Sequence, residues 1–413
     1  MKSRSLPDAI VAGFIPLIDS AVLVVAGELG FAEQQGIELK LVRETSWANI
    51  RDRIAVGHLD VAHMLAPMAI AGNLGLAPLP AALIAPMALG TGGNTITVSN
   101  ALWAQMTEFG ASGAGDPAGI AKSMAGAFQV RKSRGLPLPV FGIVHPYSSH
   151  HYELAYLLGF AGVRPGIDVE LTVVPPSLMT DALARGQLDG FCVGEPWGSM
   201  AVARGVGVIA TTKAAIWKAS PEKVLGLRLD WAERNPELLA ALLRALYLAA
   251  CWCEQADNRP RLAAILSQDR YLGLPEAILL ESLQGGRPGG REDQRASLGA
   301  PFMFADRAST FPWSSHASWF YSQMVRWGQV RHSAANAAKA RETFRPDLYR
   351  SALGPLGVAV PSSNSKVEGA LTAATPVGSP TGRLVLGPDG FFDGRIFDPD
   401  RVDDYIAGFE VHA

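Results

Sequence analysis

The sequence predicts an α/β protein made of two lobes with a ligand cleft between them. At 413 residues the chain exceeds one ordinary hydrophobic core, and a hydrophobic content of 48% allows large cores to form. Short apolar runs of strand length alternate with segments of helical periodicity, which is typical of α/β proteins. A third observation, a pattern that occurs twice, indicates that the chain divides into two similar lobes.

The repeated pattern lies within residues 46–67 and again within residues 177–196. In each copy a serine-capped helix ends at glycine and is followed by a Leu-Asp pair, a buried strand and a turn containing proline. We interpret the copies as corresponding parts of two lobes that present strand ends and helix N-termini to a shared cleft. The alternative is that this succession of elements is simply common in α/β proteins and indicates no repeat.

The N-terminal quarter of the chain predicts strands and helices in alternation. Asp19 or Ser20 is expected to cap the first helix and Ser46 the second. This alternation favours a largely parallel sheet. The predicted strands cover residues 9–15, 37–42 and 60–65, and the predicted helices cover 21–35 and 47–56.

A glycine-rich bend at residues 90–94 favours a crossing into the second lobe. A strand at 206–211 is expected to bring the chain back. We therefore assign residues 1–97 and 212–413 to lobe I and residues 98–211 to lobe II. From the bend onward the predicted elements are strands at 95–99, 140–144, 169–174 and 188–194, and helices at 101–132, interrupted near 110–115, and at 150–158.

The C-terminal half predicts a long helix and a chain that returns to the body of the protein. Asn235 is expected to cap the helix at 236–255, whose apolar residues surround most of its circumference. The aromatic-rich segment 301–330 is expected to be mainly core. Residues 285–295 form a predicted exposed loop, 354–382 a linker or surface segment, and residues from 391 onward dock back on the body.

Composition argues against several classes of protein. The net charge is −2 with no polybasic run, so direct binding of nucleic acid is not expected. The cysteines, 192, 251 and 253, form no metal or redox motif and are expected to be buried thiols. No apolar run reaches the length of a membrane span. Because the first predicted strand lies close to the first residue and no leader is evident, we expect a cytoplasmic protein.

Catalytic and metal-binding motifs are missing from the sequence. It contains no nucleophile elbow, zinc-protease motif, P-loop or dinucleotide fingerprint. A helix would direct the adjacent rings of His150 and His151 about 100° apart, which suits one metal ion poorly. We therefore expect no enzyme activity, no cofactor and no metal.

Several residues could instead hold a small anion. The segment 188–197 reads as a buried strand that delivers Gly194 to a turn and a helix beginning at Pro196, where free backbone N–H groups would favour an anion. The candidates are Trp47, Asn94, His150 and Lys223, with backbone N–H from Gly194. Three of them have another interpretation: Trp47 as a core residue, His150 as a helix-cap partner and Lys223 as a surface charge.

Motifs along most of the chain resemble the nitrate and bicarbonate substrate-binding proteins of ABC transporters. They run from about residue 8 to 350, with a further Phe-Phe-Asp-Gly-Arg string at 391–395. The most specific are Val-Gly-Glu-Pro-Trp at 193–197 and Phe-Pro-Trp-Ser-Ser-His at 311–316; the others lie at 13–19, 46–47, 57–63, 150 and 221–223.

The resemblance implies a type II periplasmic-binding-protein fold. It also implies that nitrate is held by a tryptophan, an amide side chain, a histidine, a glycine backbone and a lysine. These positions fall on Trp47, Asn94, His150, Gly194 and Lys223. Asn94 departs from the family, whose transporter members usually carry the longer glutamine.

The apparent lack of a leader resembles the cytoplasmic nitrate/nitrite sensors of the NasS type. Such a sensor holds an RNA-binding antiterminator of the ANTAR type inactive and releases it when the ion binds. The resemblance therefore implies nitrate or nitrite as ligand and an antiterminator as partner. The alternatives are a binding component of an ABC nitrate or bicarbonate transporter and, less favoured, a pyrimidine-precursor synthase of this fold, whose cysteine-rich catalytic string is missing here.

The chemistry of the candidate set favours nitrate or nitrite over bicarbonate. Nitrate carries no proton, so we expect its site to supply donors only, with one lysine balancing its charge. Bicarbonate would profit from a carboxylate acceptor, and the sequence shows no acidic cluster at these positions. Substituting Trp47 or Lys223 by alanine is expected to abolish nitrate binding and to leave the fold intact.

Overall fold

The computed structural model describes residues 8–285, 302–410 and 412. Apart from Gly285, the predicted loop at 285–295 lies outside these residues. The helices are α1 (Ala21–Glu28), α2 (Phe31–Gln34), α3 (Trp47–Ala55), α4 (Ala66–Asn73), α5 (Asn100–Thr107), α6 (Pro117–Ser133), α7 (Ser149–Phe160), α8 (Met179–Ala184), α9 (Trp197–Ala203), α10 (Lys213–Ile216), α11 (Leu229–Arg234), α12 (Pro236–Glu254), α13 (Arg259–Leu266), α14 (Glu276–Leu283), α15 (Ser314–Arg326), α16 (Ala334–Thr343), α17 (Pro346–Leu353) and α18 (Val402–Ala407).

The strands form two five-stranded sheets and two small two-stranded sheets. The first large sheet has the order β2-β1-β3-β11-β4, and the second has the order β10-β6-β9-β7-β8. The strands are β1 (Asp8–Phe14), β2 (Ile37–Arg43), β3 (Val61–Leu65), β4 (Leu83–Ala88), β5 (Thr91–Gly92), β6 (Asn94–Ser99), β7 (Val140–Ile143), β8 (Glu170–Val173), β9 (Gly190–Gly194), β10 (Gly207–Thr212), β11 (Lys223–Arg228), β12 (Phe302–Met303), β13 (Thr375–Val377) and β14 (Leu384–Leu386).

Both large sheets mix parallel and antiparallel pairs, so the prediction of a largely parallel sheet is wrong. Strand β1 pairs in parallel with β2 and β3, but β11 runs antiparallel to β3 and β4. In the second sheet β7 pairs in parallel with β8 and β9, whereas β6 runs antiparallel to β9 and β10. The antiparallel strands β6 and β11 are the ones by which the chain enters each sheet from the other.

The two copies of the repeated pattern differ at their helix starts. Ser46 caps α3 as predicted, its hydroxyl accepting a hydrogen bond from the N–H of Asn49 at 3.2 Å. Ser177 is not a cap, because it lies within a 3-10 turn ahead of α8. Asn235 precedes α12, yet its side chain does not cap that helix and instead donates to Trp231 O.

The division at residues 97 and 212 stays a prediction. The first boundary falls within β6, and the second falls on the last residue of β10. The predicted first helix is two helices, α1 and α2, separated at Gly30, whose φ of 74° suits glycine. The break predicted in the helix at 101–132 is confirmed between α5 and α6.

Contrary to the sequence-based expectation, helix α12 has the length and hydropathy of a membrane span, and it is the one such helix in the described part of the chain. Its leucines and alanines at 239, 242, 243, 246 and 249 are buried in the core that also contains α1, α13 and α17. That packing accounts for an apolar surface around most of the helix, as predicted.

The C-terminal segment packs back on the body, as predicted. Phe391 stacks on Trp217 with ring centroids 4.5 Å apart and also contacts Trp319 on α15. Tyr405 of α18 accepts a hydrogen bond from the Trp319 indole at 3.2 Å. The predicted core role of the aromatics on α15 is thereby confirmed. The three cysteines are free thiols, of which Cys192 and Cys253 are buried and Cys251 is half-buried.

Candidate anion-binding site

Five elements begin or end at one place between the two large sheets. Trp47 is the first residue of α3, and Lys223 is the first residue of β11, opposite the last residue of β3. His150 stands in the first turn of α7, whose cap is Ser148. Asn94 begins β6 and pairs with Gly194, the last residue of β9. Strand ends and helix starts therefore bring these five residues together from positions far apart in the chain.

The distances link the four predicted side chains into one cluster, and strand pairing places Gly194 beside Asn94. The ammonium nitrogen of Lys223 lies 5.4 Å from the centre of the Trp47 ring. The same nitrogen contacts Glu222. Glu222 accepts from Asn94 Nδ2 at 2.7 Å and lies 3.7 Å from His150 Nε2. The proximity of the five residues is thus observed, while their role as ligands of an ion stays a prediction.

Two of these side chains are buried with nitrogen atoms that lack a partner. Trp47 is 1% exposed, and His150 is fully buried. The indole Nε1 of Trp47 and both ring nitrogens of His150 make no hydrogen bond to any described residue. A buried donor without a partner costs about 1–3 kcal/mol, and a ligand that accepts a hydrogen bond from it would remove that cost.

The structure also brings carboxylates into the cluster, so the expectation of no acidic cluster at these positions is wrong, while the expectation that nitrate meets donors only stays a prediction. Asp19 Oδ2 accepts from Lys223 Nζ at 2.8 Å, and its Oδ1 lies 2.9 Å from His63 Nε2. Glu222 contacts both Lys213 and Lys223.

A third carboxylate, Glu153, lies on the second-sheet side of the cluster. Its Oε1 is 2.7 Å from the Lys213 ammonium nitrogen, and its Oε2 accepts from Asn94 Nδ2 at 3.1 Å. The cluster therefore contains two lysines and three carboxylates.

Asn94 does not offer the donor that was predicted. Its Nδ2 donates to Glu153 and Glu222, while its Oδ1 is buried without a partner among the residues described. In this arrangement Asn94 holds two carboxylates in place and presents an acceptor rather than a donor.

Burial and charge set the protonation of the cluster. Burial opposes ionisation of Asp19, but the charges of Lys223 and His63 outweigh it and lower the pKa of Asp19 to about 2. Burial likewise opposes ionisation of Glu222, yet the two lysines hold its pKa well below the usual value. Burial also disfavours the charged form of Lys223, but the neighbouring carboxylates raise its pKa. Asp19 and Glu222 are therefore ionised and Lys223 is charged at neutral pH.

Burial dominates the pKa values of the two histidines and of Glu153. Burial lowers the pKa of His150 to about 3 and also lowers the pKa of His63, so both rings are neutral at pH 7. Neutral His150 can donate from one ring nitrogen and accept at the other. Burial raises the pKa of Glu153 to about 7 against the opposing charge of Lys213, and the charge of Glu222 adds to the rise.

The predicted anion corner at residues 194–197 is wrong in its mechanism. Helix α9 begins at Trp197 rather than at Pro196, and its start is satisfied by the protein itself. Glu195 Oε2 accepts from the N–H of Ser199 at 3.0 Å, and its Oε1 accepts from the Ser199 hydroxyl at 2.9 Å. The N–H of Glu195 donates to Gly93 O at 2.7 Å. The Glu195 side chain thus accepts from the Ser199 N–H in the first turn of α9, which would otherwise be free to face an anion.

Some of the missed residues carried a signal in the sequence. Glu222 directly precedes Lys223, and Glu153 lies one helical turn after His150, so both were within reach of the predicted site. Lys213 carried no such signal, because only the path of β10 places it beside Glu222. Among the described residues, no group of three or more histidine, cysteine or acidic side chains is arranged to hold a metal ion.

Comparison with known proteins finds a family profile and relatives named as anion-binding proteins. A sequence profile described as the NMT1-like family matches residues 6–267. The nitrate/nitrite binding protein NrtA of Synechococcus elongatus is 31% identical over 98% of this chain and 86% of its own length. The bicarbonate-binding protein CmpA of a Synechococcus species is 29% identical over 97% of this chain and 86% of its own length.

A solved structure is similar over nearly the whole chain. The periplasmic nitrate-binding protein NrtA from Synechocystis PCC 6803 superposes with a TM-score of 0.83 and 28% identity, covering 98% of both chains. The predicted periplasmic-binding-protein fold is thereby confirmed. These relatives are binding proteins by name.

Proposed function

The chain belongs to the NMT1-like family and is homologous to the NrtA and CmpA binding proteins, and on that premise we propose that it binds nitrate or nitrite. The proposed ligand-binding residues are those predicted from the sequence, with the correction that Asn94 acts by positioning carboxylates. The similarity to proteins named for nitrate and nitrite supports this choice of ligand.

One observation carries the proposal: the buried, unpartnered nitrogens of Trp47 and His150 beside the Lys223 ammonium group. Both rings can donate to an oxyanion, and Lys223 supplies positive charge within reach of the Trp47 ring. Donors that a folded protein leaves without partners favour binding of an acceptor-rich ligand, because the ligand removes their desolvation penalty.

Bicarbonate is a second candidate, favoured by a specific observation. Asn94 Oδ1 and one nitrogen of neutral His150 are acceptors without protein partners in the described structure, and bicarbonate carries a hydroxyl that could donate to them. The carboxylates of the cluster are already held by lysines and Asn94, so they do not by themselves select bicarbonate.

We also propose that the ion stabilises a closed arrangement of two lobes divided near residues 97 and 212. Asp19 and Trp47 belong to the first-sheet side, whereas His150 and Gly194 belong to the second-sheet side. A ligand that contacts both sides favours whichever arrangement brings them together, by its difference in affinity for the two states.

Two biological roles are compatible with such a protein. The names of the relatives favour a substrate-binding component of a nitrate ABC transporter, which we propose first. The competing proposal is the cytoplasmic sensor of the NasS type, whose closed state would lose affinity for an ANTAR antiterminator by reciprocal coupling. Transport by a cognate permease supports the first role, and nitrate-dependent release of a purified antiterminator supports the second.

Calorimetric titration tests the ligand assignment. Nitrate, nitrite and bicarbonate are titrated separately into the full chain at pH 6.5, where buffer bicarbonate is controlled by degassing. We expect saturable binding of one nitrate or nitrite ion per chain. Saturable binding of bicarbonate alone supports the second candidate, and no binding of any of the three contradicts the proposal.

A further inference from the structure

The ionisable side chains of the candidate site carry more negative than positive charge when all its carboxylates are ionised. The cations are Lys213 and Lys223, and each makes contact with Glu222. Each lysine also contacts a second carboxylate, which is Glu153 for Lys213 and Asp19 for Lys223. Since both nearby histidines are neutral at pH 7, the ionised cluster has a net charge of −1 before any ligand enters.

A singly charged anion entering this cluster would change its net charge from −1 to −2. All five charged side chains are 5% exposed or less, so solvent screens them weakly. Uncompensated charge at such depth is strongly unfavourable, and buried carboxylates usually respond by taking up a proton. A neutral carboxyl at one position would restore the charge that the cluster had before binding.

Glu153 is the carboxylate that the surroundings hold least firmly as an anion. Asp19 and Glu222 each face Lys223 closely, and Glu222 faces Lys213 as well. Glu153 has Lys213 as its one cationic contact in the described structure, and Lys213 is shared with Glu222.

The other groups that face Glu153 supply no positive charge. Asn94 donates to its Oε2, Ser220 Oγ lies 3.4 Å from its Oε1, and the buried thiol of Cys192 lies on the adjacent strand β9. His150 on the same helix is neutral. Burial and the charge of Glu222 thus favour the protonated form of Glu153, against Lys213 alone.

Resting on the proposed function, we propose that Glu153 takes up one proton from solvent when the anion binds, so that anion and proton bind together. The proton adds to a carboxylate oxygen of Glu153, and no bond to another group is broken. On Oε1 the new hydroxyl faces Ser220 Oγ, which can accept from it, while Asn94 continues to donate to Oε2. Glu153 is therefore a charge-balancing residue that acts beside the ligand.

The sign of the pH dependence follows from linkage. Below the pKa of Glu153 in the free protein the residue is already protonated, so affinity does not change with pH. Above that value each bound anion must recruit a proton, so the dissociation constant rises by about tenfold per pH unit. The rise continues until the pH exceeds the pKa of Glu153 in the complex.

The test is nitrate titration calorimetry of the full chain at pH 6 and pH 8.5, in MOPS, HEPES and Tris, whose ionisation enthalpies differ. The dependence of the observed enthalpy on that of the buffer counts the protons taken up. We expect nearly one proton at pH 8.5 and few at pH 6. Saturable binding at pH 8.5 with no proton uptake overturns the inference, whereas absence of saturable nitrate binding at both pH values contradicts the proposed function instead.

Two matched variants assign the proton to its residue. Glu153→Gln replaces the carboxylate by a neutral isostere, and we expect no proton uptake and no change of affinity between pH 7 and 8.5. Glu195→Gln is the control, because Glu195 is also a buried carboxyl with a raised pKa but lies at the start of α9, outside the cluster. Glu195→Gln should keep the wild-type proton count, and proton uptake retained by Glu153→Gln overturns the assignment.

Discussion

The substitution Trp47→Phe isolates the indole N–H, the donor on which the proposed site most depends. Phenylalanine keeps an aromatic ring beside Lys223 and removes Nε1, which has no partner among the described residues. A hydrogen bond to a charged group contributes about 1.5–3 kcal/mol, so the dissociation constant for nitrate should rise about 10- to 150-fold.

The stability of the protein should change little in this variant. Removing a buried, unpartnered N–H relieves a penalty of about 1–3 kcal/mol. The smaller ring leaves unfilled volume at a position that is 1% exposed, which costs a similar amount. These effects oppose each other, and we expect the free energy of unfolding to change by about 1 kcal/mol or less.

The matched control is Trp327→Phe. Trp327 is also buried with an unpartnered indole nitrogen in the described structure, but it packs near Gly159, towards the C-terminal end of α7. His150 lies towards the other end of that helix, nine residues away or about 14 Å along its axis. Calorimetry and urea unfolding are measured on both variants, and equal losses of affinity in the two would refute the role of the Trp47 indole.

Three further substitutions test the charge cluster, the helix α9 cap and the C-terminal segment. Lys223→Met leaves the buried carboxylates of Asp19 and Glu222 without this lysine and should lower the free energy of unfolding, measured in urea, by about 3–5 kcal/mol. This revises the sequence-based expectation that the fold stays intact when Lys223 is substituted. Adding Glu222→Gln to this variant should recover part of the loss. Burial raises the pKa of Glu195 from 4.5 to about 7, so the contribution of its protonated form to stability is complete below pH 4.5 and is lost as the pH rises through 7. Relative to wild type, the free energy of unfolding of Glu195→Gln should therefore rise by about 3 kcal/mol between pH 4.5 and pH 8. Stability profiles of the two proteins that run parallel over this pH range would contradict this. Phe391→Ala removes a 6% exposed ring stacked on Trp217 and should lower the free energy of unfolding by about 3–5 kcal/mol, whereas a change below 1 kcal/mol would show that the segment does not dock there.

Much of the fold could be predicted because local patterns determined it. Ser46 caps α3 as its sequence position indicates, and the glycine-rich segment before Asn94 leads into the second sheet. The strand directions could not be predicted from the same patterns. A buried strand such as β11 has the same composition whether it pairs in parallel or antiparallel, and only the path of the chain from β10 decides the direction.

The positions of the candidate site residues were easier to predict than their electrostatics. Trp47 and Lys223 each stand at the first residue of an element, so motif reasoning could locate them. Their charge environment depends on contacts between residues distant in sequence, such as Asp19 with Lys223, 204 positions apart. For the same reason Lys223 could be read as a surface charge, although it is 1% exposed and held by two carboxylates.

The most direct test of the central claim is a crystal structure of the full chain with nitrate at pH 6.5, refined at a resolution that defines a planar ion. We expect one ion with its oxygens within hydrogen-bond distance of Trp47 Nε1 and a ring nitrogen of His150, close to Lys223 Nζ. An ion bound outside this cluster, with Trp47 and His150 still lacking partners, would contradict it.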